Sequence, residues 1–297
     1  MEHVSLLTDF SLEMTGRDMR QLAEASSTIP HGTRINVTFL AHEDPGMRLE
    51  AARAVKRSGF VPVPHISARR LRSRETLEEF LAALAADGVT DSVFVVAGDP
   101  ASPLGPYQDS LSVIRSGLLE RYGIRNVGFG GYPEGHPGIP ATALWSALAD
   151  KAAALARQRL SGVIITQFGF DIDPVLDWIE EVRDRGIDLP VRIGVPGPAG
   201  IKRLMSYARR FGVGTSAGIA RKYGFSITTL MGTAGPDRFI QALADRYDPG
   251  RHGEVRLHFF TFGGLAATSE WIGTFRAADQ GFAQPKRGSV QRARRKD

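Results

Sequence analysis

RETLEEFLAALAADGVTDSVFVVAGD (residues 74–99) holds one full turn of the pattern that decides the fold. Over 74–88, Leu and Phe recur at three- and four-residue spacing, the apolar stripe of a helix that packs on a sheet. Gly88 stands where that helix should stop, because a left-handed residue closes a helix and glycine adopts that conformation without strain. A β-branched run, SVFVV, then reads as a strand buried on both faces and ends in a carboxylate, Asp99. Helix, stop, strand and chemical group follow one another in a single unit.

The same unit recurs along the chain. Strand runs read HVSLLTDFSLE (3–13), RINVTFL (34–40), FVPVPHIS (60–67), SVFVVAGD (92–99), NVGFGGYP (126–133), GVIITQFGF (162–170), VRIGVPG (191–197) and VRLHFFTFG (255–263). Helical periodicity fills the gaps, including 16–27, 47–59, DSLSVIRSGLLERYG (109–123), 141–160, 174–186 and 199–212, with glycines at 59, 88, 123, 186 and 212 as stops. The first seven strands begin roughly 25 to 35 residues apart, one βα unit each. Only the last interval is longer, and it holds two further helix candidates at 216–224 and 235–248. The expected fold is therefore α/β, a single (β/α)8 TIM barrel with extra helices before the last strand. A doubly wound open sheet is the rival; eight units without a break in composition favour the barrel.

In such a barrel all C-terminal strand ends open on one face, and their loops build the active site. Glu13, Thr38, His65, Asp99, Tyr132 with His136, Gln167 and Phe262 lie at or near those ends, so the pattern points to an enzyme.

Composition narrows the classes. The net charge of +5 is held by residues 280–297, where six Lys/Arg face one Asp, so residues 1–279 are formally neutral. The chain thus reads as a barrel catalytic domain over 1–279 and a basic C-terminal tail over 280–297. A nucleic-acid-binding body is not implied. No run approaches the roughly 18 apolar residues of a membrane span. The first residues lack the basic and apolar regions of a secretory signal, which makes the cytoplasm the expected location. Zero cysteines exclude disulfides, thiolate metal sites and cysteine nucleophiles. The histidines have no metal-ligand spacing, so no metal is expected.

The most distinctive string is GFGGYPEGHP (128–137), in which two prolines frame a turn presenting Tyr132, Glu134 and His136. Taken with VTF (37–39), PHIS (64–67), AGDP (97–100), IITQFGFD (164–171) and LHFFTF (257–262), and with Glu13 in SLEMT, it resembles the methylenetetrahydrofolate reductase family. The resemblance covers roughly residues 4 to 265.

That resemblance implies a barrel with flavin adenine dinucleotide (FAD) at its mouth, NADH or NADPH as hydride donor, and tetrahydrofolates as substrates in one-carbon metabolism. It implies that Glu13 protonates N10 so that the folate ring opens to a 5-iminium cation, since a poor leaving nitrogen needs an acid. Desolvation is expected to raise the pKa of that carboxyl. Asp99 matches the acid of the family's Arg-Gly-Asp and would stabilise the developing cation. Thr38, His65, Ala97, Gly98, Tyr107, Tyr132, His136 and Lys151 match flavin-contacting positions, with Lys151 meeting the diphosphate. Gln167, Arg203, Tyr207 and Phe262 match folate positions, though Phe262 suits a barrel core equally well.

The chain also departs from the family. Ala97 replaces the arginine before Gly-Asp, Met14-Thr15-Gly16 replaces a double proline, and Leu144 falls where an acidic residue is common. Fewer charged contacts predict weaker flavin binding, or in the extreme none. The alternative reading is then a divergent relative that binds folate or serves a methyltransferase as partner. The animal regulatory domain has no counterpart, so adenosylmethionine control is not expected. No strand–Gly-x-Gly–helix fingerprint separates NADH from NADPH. Barrels of this kind commonly self-associate, which makes a homo-oligomer the expectation.

Overall fold

The computed structural model of the chain describes residues 6–40, 45–213 and 233–282. Its parallel strands are β1 (Ser11–Met14), β2 (Arg34–Val37), β3 (Val61–Ser67), β4 (Ser92–Val96), β5 (Asn126–Gly131), β6 (Ser161–Thr166) and β7 (Val191–Pro196). Two short strands, β8 (Ala199–Gly200) and β9 (Thr233–Ala234), pair antiparallel outside the barrel. The last barrel strand is β10 (Val255–Phe260), and the eight close in the order β1-β10-β7-β6-β5-β4-β3-β2. This is the (β/α)8 barrel that the alternation predicts.

Pleat and register divide each strand between two environments. Leu12 pairs with Ile35 and Phe259, and all three are fully buried against the surrounding helices. The alternate residues Ser11, Glu13, Asn36 and His258 therefore face the barrel interior. Glycines on that inner face make room for rings: a Cβ at Gly128 would meet the Phe94 ring at 2.6 Å, and one at Gly194 would meet Phe260 at 2.8 Å. The main core lies between strands and helices, where burial of each Leu, Ile, Val or Phe contributes about 1.5–3 kcal/mol.

Gly59, Gly88, Gly123, Gly186 and Gly212 all take positive φ, as their place at helix ends requires. Two expectations need correction. The first strand is limited to Ser11–Met14; Leu6, Leu7 and Phe10 are buried without pairing as strand, and Asp9 turns the chain at φ 52°. The single helix expected over 109–123 is broken into Ser110–Ile114 and Leu118–Arg121 by Gly117 at φ 72°. Before the last strand, the helix Asp237–Arg246 is present and the turn Pro249–His252 follows it. The other candidate there, 216–224, lies outside the described residues, as does the tail from 283 onward.

Candidate active site

Three polar side chains meet on the inner face where β1, β3 and β10 end. Glu13, with 21% of its side chain exposed, has Oε2 3.4 Å from Nε2 of the fully buried His258. His258 Nδ1 lies 2.9 Å from Ser11 Oγ. If neutral His258 donates from Nε2 to the carboxylate, Nδ1 accepts from the Ser11 hydroxyl; the imidazolium donates from both nitrogens. The Thr261 hydroxyl fixes the strand end by donating to the Glu13 carbonyl at 2.6 Å.

Burial is the largest influence on the Glu13 carboxyl and pushes its pKa up. The His258 hydrogen bond, the attraction of the His65 and His258 rings when protonated, and the Thr38 hydroxyl together outweigh it, leaving the pKa below the ordinary value. The expected upward shift is thus corrected: desolvation acts as anticipated, but two imidazoles overrule it.

His65 completes the group. Its Nε2 lies 3.3 Å from Asn36 Nδ2, and its ring rests 4.7 Å from that of Phe94. Desolvation lowers its pKa to about 4, with Glu13 opposing and His258 and Arg48 assisting. It is therefore neutral at pH 7, and the Asn36 amide makes Nε2 the acceptor. The Thr38 hydroxyl is buried nearby and meets no partner at normal hydrogen-bond geometry, although it lies close enough to favour ionised Glu13.

Asp99 is 70% exposed and held by a fork from Arg70, whose Nε and Nη2 donate at 2.6 to 2.9 Å. That hydrogen bonding keeps its carboxyl below the usual range. Arg70 lies 5.3 Å from the Phe39 ring, which Arg48 approaches at 4.6 Å. Arg70 belongs to the turn Ala68–Arg70 that follows β3 and sets a guanidinium beside Asp99. Ala97 itself offers its carbonyl to the Arg69 amide at 2.9 Å. Gly98, at φ 93°, has no room for a Cβ against Ser67 Oγ.

Arg203, Tyr207 and Phe262 form a second group. Tyr207, on the helix Ile201–Phe211, stacks on Phe262 with centroids 4.1 Å apart and planes 10° from parallel. Arg203 Nη1 donates to the Phe262 carbonyl at 2.9 Å. Gln167 continues β6 and lines a narrow cleft with Phe168 and Glu134; its side-chain oxygen accepts from the Phe168 amide at 3.1 Å. Tyr132 and His136 pack edge to face at 5.4 Å, and His136 Nδ1 accepts from the Gly138 amide.

Two of the residues expected at the cofactor are buried. Tyr107 is 6% exposed and packed in the main core. Lys151 is 8% exposed beneath the helix Ala141–Arg157, its ammonium 4.8 Å from the Phe129 ring, and burial lowers its pKa to about 8. It lies in the shell between helix and strand, against Phe129. Sequence reasoning also passed over His258, Ser11, Asn36 and Arg70. The first three sit on the inward parity of strands already identified; Arg70 belongs to no motif.

By architecture the molecule is a (β/α)8 barrel with a polar, aromatic-lined mouth. Residues 9–215 match the methylenetetrahydrofolate reductase family, and the chain belongs to that family. It is 29% identical over 134 residues to methylenetetrahydrofolate reductase 2 of Saccharomyces cerevisiae, covering 40% of this chain and 20% of the yeast protein. Among solved structures, a Clostridium thermocellum protein described as binding two copies of 5-methyl-5,6,7,8-tetrahydrofolic acid shares the fold. Its TM-score is 0.54 at 9% identity, over 93% of this chain and 98% of that one. Dihydropteroate synthase from Thermus thermophilus aligns at TM-score 0.47 and 15% identity, over 90% and 93% of the two chains. Among the described residues no helix is long and apolar enough to cross a membrane.

Proposed function

We propose that this chain reduces 5,10-methylenetetrahydrofolate to 5-methyltetrahydrofolate at the barrel mouth, with a reduced nicotinamide as hydride source and Glu13 as the acid that protonates N10. The observation that carries this reading is the chain Ser11–His258–Glu13, which ties a mouth carboxyl to a buried imidazole. Such a pair can hold one proton between its members and release it to a substrate nitrogen. A bound pterin would exclude water from the exposed fifth of Glu13, strengthening the desolvation that favours its protonated form. Once the proton has left, the carboxylate stands beside the cationic iminium, and its surroundings already favour that charge.

The other residues divide the remaining work. Neutral His65 offers hydrogen bonding without adding a competing positive charge. Asp99 is charge-matched by Arg70, so it serves as a fixed acceptor with little net field. The Gln167 amide suits the mixed donor and acceptor edge of a pterin. The Tyr207–Phe262 stack presents flat apolar surface to an aromatic ligand.

FAD fits the mouth by halves. The unpartnered Thr38 hydroxyl, His65, the side-chain-free Gly98 and Tyr132 suit a flat polar ring. Tyr107 and Lys151 are buried and offer little surface to a dinucleotide arm. When bound, FAD would supply two-electron transfer between nicotinamide and folate; its ring contacts alone imply loose binding. A non-catalytic folate-binding role is the second reading, favoured by buried Lys151, but it leaves the Glu13–His258 pair without a task. Anaerobic incubation with methylenetetrahydrofolate and NADH or NADPH, with and without added FAD, tests the proposal. Nicotinamide-dependent formation of 5-methyltetrahydrofolate is expected; folate binding without product under every condition would leave only the second reading.

A further inference from the structure

A cavity of about 480 Å³ opens at the opposite, N-terminal end of the barrel. Barrel interiors are ordinarily filled there by branched apolar side chains. Here the lowest inward positions carry Arg34, Ser92, Asn126, Ser161, Arg192 and Arg256, and all six line the cavity. Above them the walls are Val63, Gly128, Val163 and Ile165, with Leu155 and Leu160 at one side. The space is thus apolar in its depth and cationic at its rim.

The rim charges are unequally used. Asp9 accepts from Arg34 at 2.6 Å and from Arg192 at 2.8 Å, so it answers two of the three guanidiniums. Arg256, on β10 beside Arg192 on β7, donates to its own Val255 carbonyl and lies 3.6 Å from Glu254. Its Nε is buried and makes no hydrogen bond. Arg192 is 7% exposed, so one edge of the rim combines a buried cation with an incompletely satisfied one.

We propose that this cavity is a second ligand site, for a small organic anion whose carboxylate or phosphate meets Arg256 and Arg192 while its apolar body enters between Val63 and Ile165. The volume falls within the range of small-molecule sites, roughly 300–1,000 Å³, and a few convergent polar groups over an apolar wall are their usual chemistry. The guanidinium fork suits a planar or tetrahedral oxyanion. The cavity also reaches Ser11 and Asn36, the residues that hold His258 and His65 from behind. An occupant would therefore touch the reverse side of the groups at the mouth.

Calorimetric titration of the full-length protein with phenyl phosphate tests this, with inorganic phosphate and phenol as separate arms. Phenyl phosphate is expected to bind at least tenfold more tightly than either fragment. Arg256→Gln should weaken it tenfold or more, and Glu254→Gln, which removes the competing carboxylate, should tighten it. Both changes lie on partly exposed side chains, and circular dichroism together with 5-methyltetrahydrofolate binding should match the unaltered protein. Absence of phenyl phosphate binding, or binding indifferent to both substitutions, overturns the assignment. Neither result depends on the reaction proposed at the mouth.

Discussion

His65 shows how one buried side chain couples the site to pH. Its folded pKa of about 4 lies below the ordinary 6.5, so the unfolded chain takes up a proton first as pH falls. The stability it confers is complete above 6.5 and is lost towards 4, amounting to ~3 kcal/mol. Urea denaturation between these limits should show that slope, and His65→Gln should flatten it while still accepting from Asn36. An unchanged slope would mean that His65 is not held neutral. His65 was legible from its strand end, whereas its partner Asn36 and the buried His258 needed the inward parity of β2 and β10 to be followed residue by residue. The direction of the Glu13 pKa was not legible at all. It depends on two imidazoles contributed by other strands, far away along the chain.

At the scale of elements, the helix Ala141–Arg157 separates motif from placement. Its sequence puts Lys151 at a position matching a cofactor contact, but its packing turns that ammonium onto Phe129. A lysine whose pKa has fallen to about 8 through burial is costly to keep charged at neutral pH. Lys151→Met should therefore stabilise the protein by ~1–3 kcal/mol at pH 7 and leave flavin affinity unchanged. A loss of flavin binding would return Lys151 to the mouth. Strand and helix order was readable because the apolar periods differ, and the glycine stops were readable because left-handed residues end helices. The start of β1 was not: buried Leu6, Leu7 and Phe10 continue its apolar run, yet Asp9 turns the backbone before pairing begins. Likewise Gly117 sits inside a continuous apolar stripe and breaks it only through its conformation.

Across the whole molecule, closure depends on a short first strand. β1 pairs with β10 through Ser11 and Leu12 alone, and Asp9 just before it ties Arg34 on β2 to Arg192 on β7. Removing one partner leaves a buried guanidinium unmatched, so Asp9→Ala should cost ~2–4 kcal/mol and lower the denaturation midpoint. An unaltered midpoint would show that the ladder hydrogen bonds close the barrel without this clamp. The same closure brings Glu13 from the first strand to His258 on the last, a meeting that no local stretch of sequence contains. The account is tested most directly by comparing Glu13→Gln with the unaltered chain in single-turnover reduction of 5,10-methylenetetrahydrofolate. Binding of 5-methyltetrahydrofolate should persist while the rate of its formation falls by about 10²–10⁴. Equal rates in the two proteins would contradict it.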